Sequence, residues 1–177
     1  IYRLNGSWAI EGELQNSDET HDKSYSDYSA SGVVPNIGFQ RVNDSSPQLR
    51  YPWSKTRACL TEMALDHAED LLSISYVNPE SGKSIFPSIG FGAIMLRPGE
   101  SQRLPKRTTP VVFHVIEGVG AMAVEGHPST DGSPLAFVEK DTLSAPGYTH
   151  ITLQNHSTTE PLFLMTADES PLHEYLG

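Results

Sequence analysis

A chain of 177 residues is long enough for one domain with a real core, plus extensions. Its formal net charge of −10 repels nucleic-acid phosphates and anionic lipid alike, so neither is an expected partner. A lone cysteine, Cys59, excludes an internal disulfide and points to a reducing cytoplasm.

The hydrophobic share of 37% is a little low, so part of the chain is expected outside the core. No stretch approaches the roughly 18 to 20 apolar residues of a membrane span. The N-terminus lacks a basic-then-apolar signal pattern. It opens on Ile1 rather than Met, which leaves a fragment, a processed chain and an unseen leading segment all open.

Residues 1–50 differ in texture from the rest. The segment 16–32 is rich in Ser and Asp and nearly free of aliphatic side chains, too polar to offset its own ordering entropy. An extended arm or interdomain connection is expected here, anchored by Trp8, Ile10, Val33, Val34, Ile37 and Phe39. A flexible linker is the alternative.

Tyr51-Pro52-Trp53 leads into a predicted short helix. Ser54 is placed to cap it, and Ala58, Leu60, Met63, Ala64 and Leu65 supply an apolar face. A charged break at 66–70 follows. Leu72, Ile74 and Tyr76 then alternate with Ser73, Ser75 and Val77, the period-two signal of a strand. Residues 78–83 are turn chemistry, and 89–96 form another strand ending at Arg97-Pro98-Gly99.

The stretch 97–126 reads as strand, loop, strand, tight turn, strand. The turn is Glu117-Gly118-Val119-Gly120, whose glycines permit the positive φ values of a hairpin. A second block, 135–155, reads as strand, turn, strand, a Pro146-Gly147 corner, then a strand. The pattern predicts an all-β fold.

Two such blocks at this separation resemble the paired motifs of a cupin, a double-stranded antiparallel barrel. The resemblance narrows on further pieces in the right order: Tyr51-Pro52-Trp53 with Lys55-Thr56-Arg57, Tyr76-Val77-Asn78-Pro79 with Gly82, and Leu96-Arg97-Pro98-Gly99-Glu100. The closing Asp168-Glu169-Ser170-Pro171-Leu172 and Leu176-Gly177 agree. Over roughly 50 to 177 the chain resembles the gentisate 1,2-dioxygenase and 1-hydroxy-2-naphthoate dioxygenase family. These are bicupins, and the likeness is to their C-terminal, metal-free cupin domain. It implies a cupin barrel over 51–177 with a leading helix and a short C-terminal helix.

The family's ring-cleaving chemistry uses a non-haem Fe(II) held by three histidines, chiefly in the other, N-terminal barrel. Two come from a His-x-His pair, and the matching positions here are Pro105-Lys106-Arg107. The third falls at Ile151, with His150 one residue early and so turned to the other face. A carboxamide or carboxylate often follows the pair, where this chain has Pro110. Proline offers no donor atom and a guanidinium repels a dication, so no metal is expected in this barrel.

Other chemistry remains open. His114, which alternation places inside the barrel, and a re-aimed His150 are candidates for an unusual metal site, with Glu117 a poor third ligand, though a core or hydrogen-bonded role suits His114 better and a surface position suits His150 better. Arg107, with Arg103 and Lys106, makes a local basic patch suited to the carboxylate of a small aromatic acid. The competing reading has these cations facing solvent or paired with acids of the arm. His114 and Tyr148 join Arg107 and Arg103 as ligand-binding candidates, though core roles suit Tyr148 and Phe113 better. His21, His67, His127, His156 and His173 stand in polar contexts and read as solvated; Cys59 reads as packed. Expected partners are a catalytic cupin half, with Fe(II) there, or further copies of the chain.

Overall fold

The computed structural model describes residues 51–66, 71–78, 81–126 and 133–176. The predicted arm over 1–50, His21, His67, His127 and the turn residues 79–80 lie outside them. The described chain begins with helix α1, Trp53–Asp66. Strands β1 Leu72–Ser75, β2 Gly90–Leu96 and β3 Ser101–Arg103 follow. Next come β4 Val111–Glu117, β5 Gly120–Val124 and β6 Leu135–Phe137. The last elements are β7 Thr142–Ala145, β8 Ile151–Asn155, β9 Leu162–Asp168 and the short helix α2, Ser170–Leu176.

These strands form two antiparallel sheets, one ordered β1-β2-β9-β4-β7 and the other β3-β8-β5-β6. Between them lies the main core, with Leu96, Phe113, Val115, Leu153, Leu162 and Leu164 fully buried. A second core sits on the outer face of the larger sheet, where α1 covers Ala93, Met95 and Phe163. Strands β2 and β9 are thus apolar on both faces, which is why their sequences run apolar without alternation at 93–96 and 162–165. The all-β reading holds.

Helix α1 docks through Trp53, Thr56, Leu60, Met63 and Ala64, a stripe at helical spacing. Ala58 and Cys59 are exposed, and Leu65 is 75% exposed, because each is rotated away from that stripe. Cys59 is therefore not packed. Ser54 does not cap the helix either. Helical geometry already includes Trp53, and the Pro52 carbonyl accepts from Lys55 N at 3.0 Å.

The docking contacts account for a motif that first looked merely familial. Trp53 Nε1 donates to Glu117 Oε1 at 2.9 Å, and Arg57 Nε donates to Glu117 Oε2 at 3.0 Å. The Arg57 guanidinium lies 5.1 Å over the Phe163 ring, which meets Trp53 edge-to-face. Glu117 follows a register shift between Val115 and Glu117, a bulge that turns its carboxylate toward the helix.

The turn at 117–120 departs from expectation. Strands β4 and β5 belong to different sheets, so the chain crosses from one layer to the other instead of folding back as a hairpin. Only Gly118 takes a positive φ there, 103°. Gly120 is needed for a different reason: a Cβ would collide with the Gln154 carbonyl and the Phe137 ring.

Across the smaller sheet's end, buried Asn155 ties two loops together. Its Nδ2 donates to the carbonyls of Arg97 at 3.0 Å and Glu160 at 2.8 Å, and its Oδ1 accepts from Ser157 N at 2.9 Å. The Arg97–Glu100 turn is closed by the Glu100 carboxylate, which accepts from Arg97 N at 2.6 Å.

Candidate functional site

A cavity of about 280 Å³ opens between the sheets at the end where the 104–110 loop meets the Pro-Gly corner. Its floor is apolar: Ile94, Leu104, Val111, Phe113 and Ile151 line it and are buried. Its rim is polar, with Ser73 and Ser75 of β1 on one side and Thr109, Thr149, Thr166 and Ser170 on the others. Arg107, Asp168 and Glu174 are its charged lining residues.

The loop is held by backbone contacts. Leu104 N donates to Ile151 O at 2.8 Å, and Tyr148 N donates to Arg107 O at 2.7 Å. Gly147 permits this approach, since a Cβ there would run into the Thr108 carbonyl. So the three positions matching the family's histidines, Pro105, Arg107 and Ile151, do converge on one cavity.

Their chemistry does not fit Fe(II). Pro105 and Ile151 carry no donor atoms, and Arg107 keeps its proton and charge. Its Nη1 lies 2.6 Å from Asp168 Oδ2. The other Asp168 oxygen accepts from Ser170 N at 2.8 Å, which starts α2, and Thr109 Oγ1 lies 3.3 Å from Ser170 Oγ. Among the described residues no group of three or more His, Cys, Asp and Glu is placed to hold a metal ion.

Of the candidates drawn from sequence, Arg107 alone lines the cavity. Its partner among the described residues is Asp168 of β9. The basic patch is dispersed: Arg103 pairs with Glu125 at 3.2 Å on the exposed surface, and Lys106 is exposed away from the cavity.

His114 is not inside the barrel. Val111, Phe113 and Val115 take the inward positions of β4, so strict alternation turns His114 outward, where Nδ1 sits 2.9 Å from Thr142 Oγ1. His150 likewise lies off the cavity lining, opposite in phase to Ile151, and its buried Nδ1 has no hydrogen-bond partner. Tyr148 is 70% exposed with φ 60°, neither core nor lining, because the corner points its side chain outward. His156 and His173 are exposed. Glu117 is occupied by Arg57 and Trp53.

Sequence reasoning missed Asp168 as the partner of Arg107, and missed the hydroxyl-bearing rim. Asp168 stood in plain view in the closing motif, but 61 residues of separation gave no sign of the pairing. The contribution of β1 to the cavity had no local signal at all.

No protein-family model matches the chain. It is 43% identical to a gentisate 1,2-dioxygenase from Ralstonia sp. over 178 residues, covering all of this chain and 48% of that protein. A 1-hydroxy-2-naphthoate 1,2-dioxygenase from Nocardioides sp. (strain KP7) is 28% identical over 141 residues, 78% of this chain and 35% of that protein. The chain thus spans about half or less of the length of these relatives. Its fold resembles the crystal structure of salicylate 1,2-dioxygenase from Pseudoaminobacter salicylatoxidans, with a TM-score of 0.65 and 24% identity over 87% of this chain and 42% of that one. The two-sheet barrel is therefore a cupin, and over its full length the chain is similar to about half of a gentisate 1,2-dioxygenase.

Proposed function

We propose that this chain is the C-terminal cupin part of a gentisate 1,2-dioxygenase-like, aromatic ring-cleaving oxygenase. In this reading the Fe(II) belongs to a second cupin half, and the present barrel works structurally by packing against that half or against further copies of the chain. A cytoplasmic setting and a small aromatic acid as the whole enzyme's substrate go with it.

The observation that carries the reading is the convergence of Pro105, Arg107 and Ile151 on one cavity. The barrel has the shape in which relatives are proposed to hold iron, yet those seats carry one cation and no ligand atom. Support also comes from the length relationship, since the chain matches about half of the Ralstonia protein.

Oxygen uptake tests it. The chain loaded anaerobically with Fe(II) and mixed with gentisate is expected to consume no oxygen above the Fe(II) blank. Mixing with a separately produced N-terminal half of the Ralstonia relative is expected to support uptake. Turnover by this chain alone would overturn the reading.

A further inference from the structure

We propose that the cavity beside Arg107 is a binding site for a small uncharged single-ring molecule bearing a hydroxyl group, and that it discriminates against carboxylates. This goes beyond the structural role proposed above and does not depend on it.

Size comes first. About 280 Å³ lies just below the usual range of small-molecule pockets, enough for one ring and little more. The floor of Leu104, Val111, Phe113 and Ile151 offers apolar contact on the inner side. Burial of a ring there releases water from apolar surface, the main source of affinity for such a ligand.

Charge then decides the class. Arg107 would suit an anion if it were unopposed. At 2.6 Å, however, Asp168 already balances its charge, and Asp168 is only 11% exposed, so it does not readily leave. Glu174 adds a second carboxylate to the lining, making the formal charge of the described lining residues −1. A carboxylate ligand would lose its hydration without meeting an unshared cation.

A hydroxyl faces no such obstacle. It can accept from guanidinium N–H groups of Arg107 that the ion pair leaves unused. It can donate to Thr166 Oγ1, a hydroxyl on the cavity wall with no hydrogen-bond partner among the described residues. Thr166 and Asp168 stand two apart on β9 and so share the inward face.

The test uses the 177-residue chain with phenol and benzoate as probes, read by methyl NMR shifts of Leu104, Val111 and Ile151. Phenol at millimolar concentration is expected to shift these methyls saturably, with benzoate at neutral pH at least about tenfold weaker. Asp168→Asn keeps an oxygen for Ser170 N but frees the Arg107 charge, and is expected to reverse the order of the two probes. Ser75→Trp, an exposed rim position on an edge strand that tolerates an aromatic, is expected to abolish phenol shifts with the fold intact. No saturable phenol shift, tighter benzoate in the unaltered chain, or phenol binding untouched by Ser75→Trp would each overturn the proposal.

Discussion

Arg107 and Asp168 meet at 2.6 Å at the barrel mouth, joining the loop before β4 to the last residue of the neighbouring strand β9. The pair closes the chain's end onto the cavity that Pro105, Arg107 and Ile151 line. Asp168 also receives Ser170 N, so it anchors α2 and the loop together. Asp168→Ala is expected to cost about 1–3 kcal/mol, because it removes a charge-assisted contact and a helix-start acceptor at once. Arg107 is half exposed, and Arg107→Gln is expected to cost less than about 1 kcal/mol. Urea unfolding of both single variants and the double variant measures the coupling.

Asn155 gives the sharpest stability test. Asn155→Asp keeps the acceptor for Ser157 N but replaces the donor facing the Arg97 and Glu160 carbonyls with an oxygen. The expected loss is about 2–4 kcal/mol at neutral pH, from stranded carbonyls and a buried charge. Protonation of the new carboxyl restores a donor, so stability relative to the unaltered chain is expected to recover partly in acid. Denaturant midpoints at two pH values check this.

Phe163 is where the barrel and α1 share a side chain. It is fully buried, with Trp53 against its ring and Arg57 above it. Phe163→Ala is expected to cost about 3–5 kcal/mol. The milder Glu117→Gln weakens the hold on Arg57 and Trp53 while leaving the main core untouched. It is expected to speed proteolysis within α1 ahead of the barrel, as read by the masses of early fragments.

Burial raises the pKa of the Tyr51 phenol above its ordinary value. The unfolded chain then loses this proton at lower pH than the folded one, so the contribution is full below pH 10.0 and falls as pH rises through the folded pKa. Tyr51 also donates to the Val77 carbonyl at 2.5 Å, a bond the phenolate cannot make. Tyr51→Phe is expected to flatten the alkaline loss of stability while lowering stability at neutral pH. Thermal melts across the alkaline range check both parts.

Strands such as 111–117 and 151–155 were legible because β-branched and aromatic runs bounded by Gly and Pro are local signals, whereas β9, Leu162–Asp168, went unread. The hairpin reading of Gly118 and Gly120 failed because sheet membership is not local. A tight turn between two strands looks the same whether they pair or part into separate layers. The interior reading of His114 fails on parity, since counting by twos from 105 and 107 reaches Val111, Phe113 and Val115, the buried positions, and leaves 114 on the other face. Counting on the strand itself, from fully buried Phe113, gives the right face. The Arg107–Asp168 pair lay beyond reach, since a pairing over 61 residues needs the topology first.

Iron stoichiometry tests the central claim most directly. The chain is incubated anaerobically with excess Fe(II), desalted, and its iron measured by plasma mass spectrometry alongside Arg107→His as a comparison. The account predicts no stoichiometric iron on the unaltered chain, because the seats at Pro105, Arg107 and Ile151 hold no ligand atom. One iron per chain, retained through desalting and held by side chains of the barrel, would contradict it.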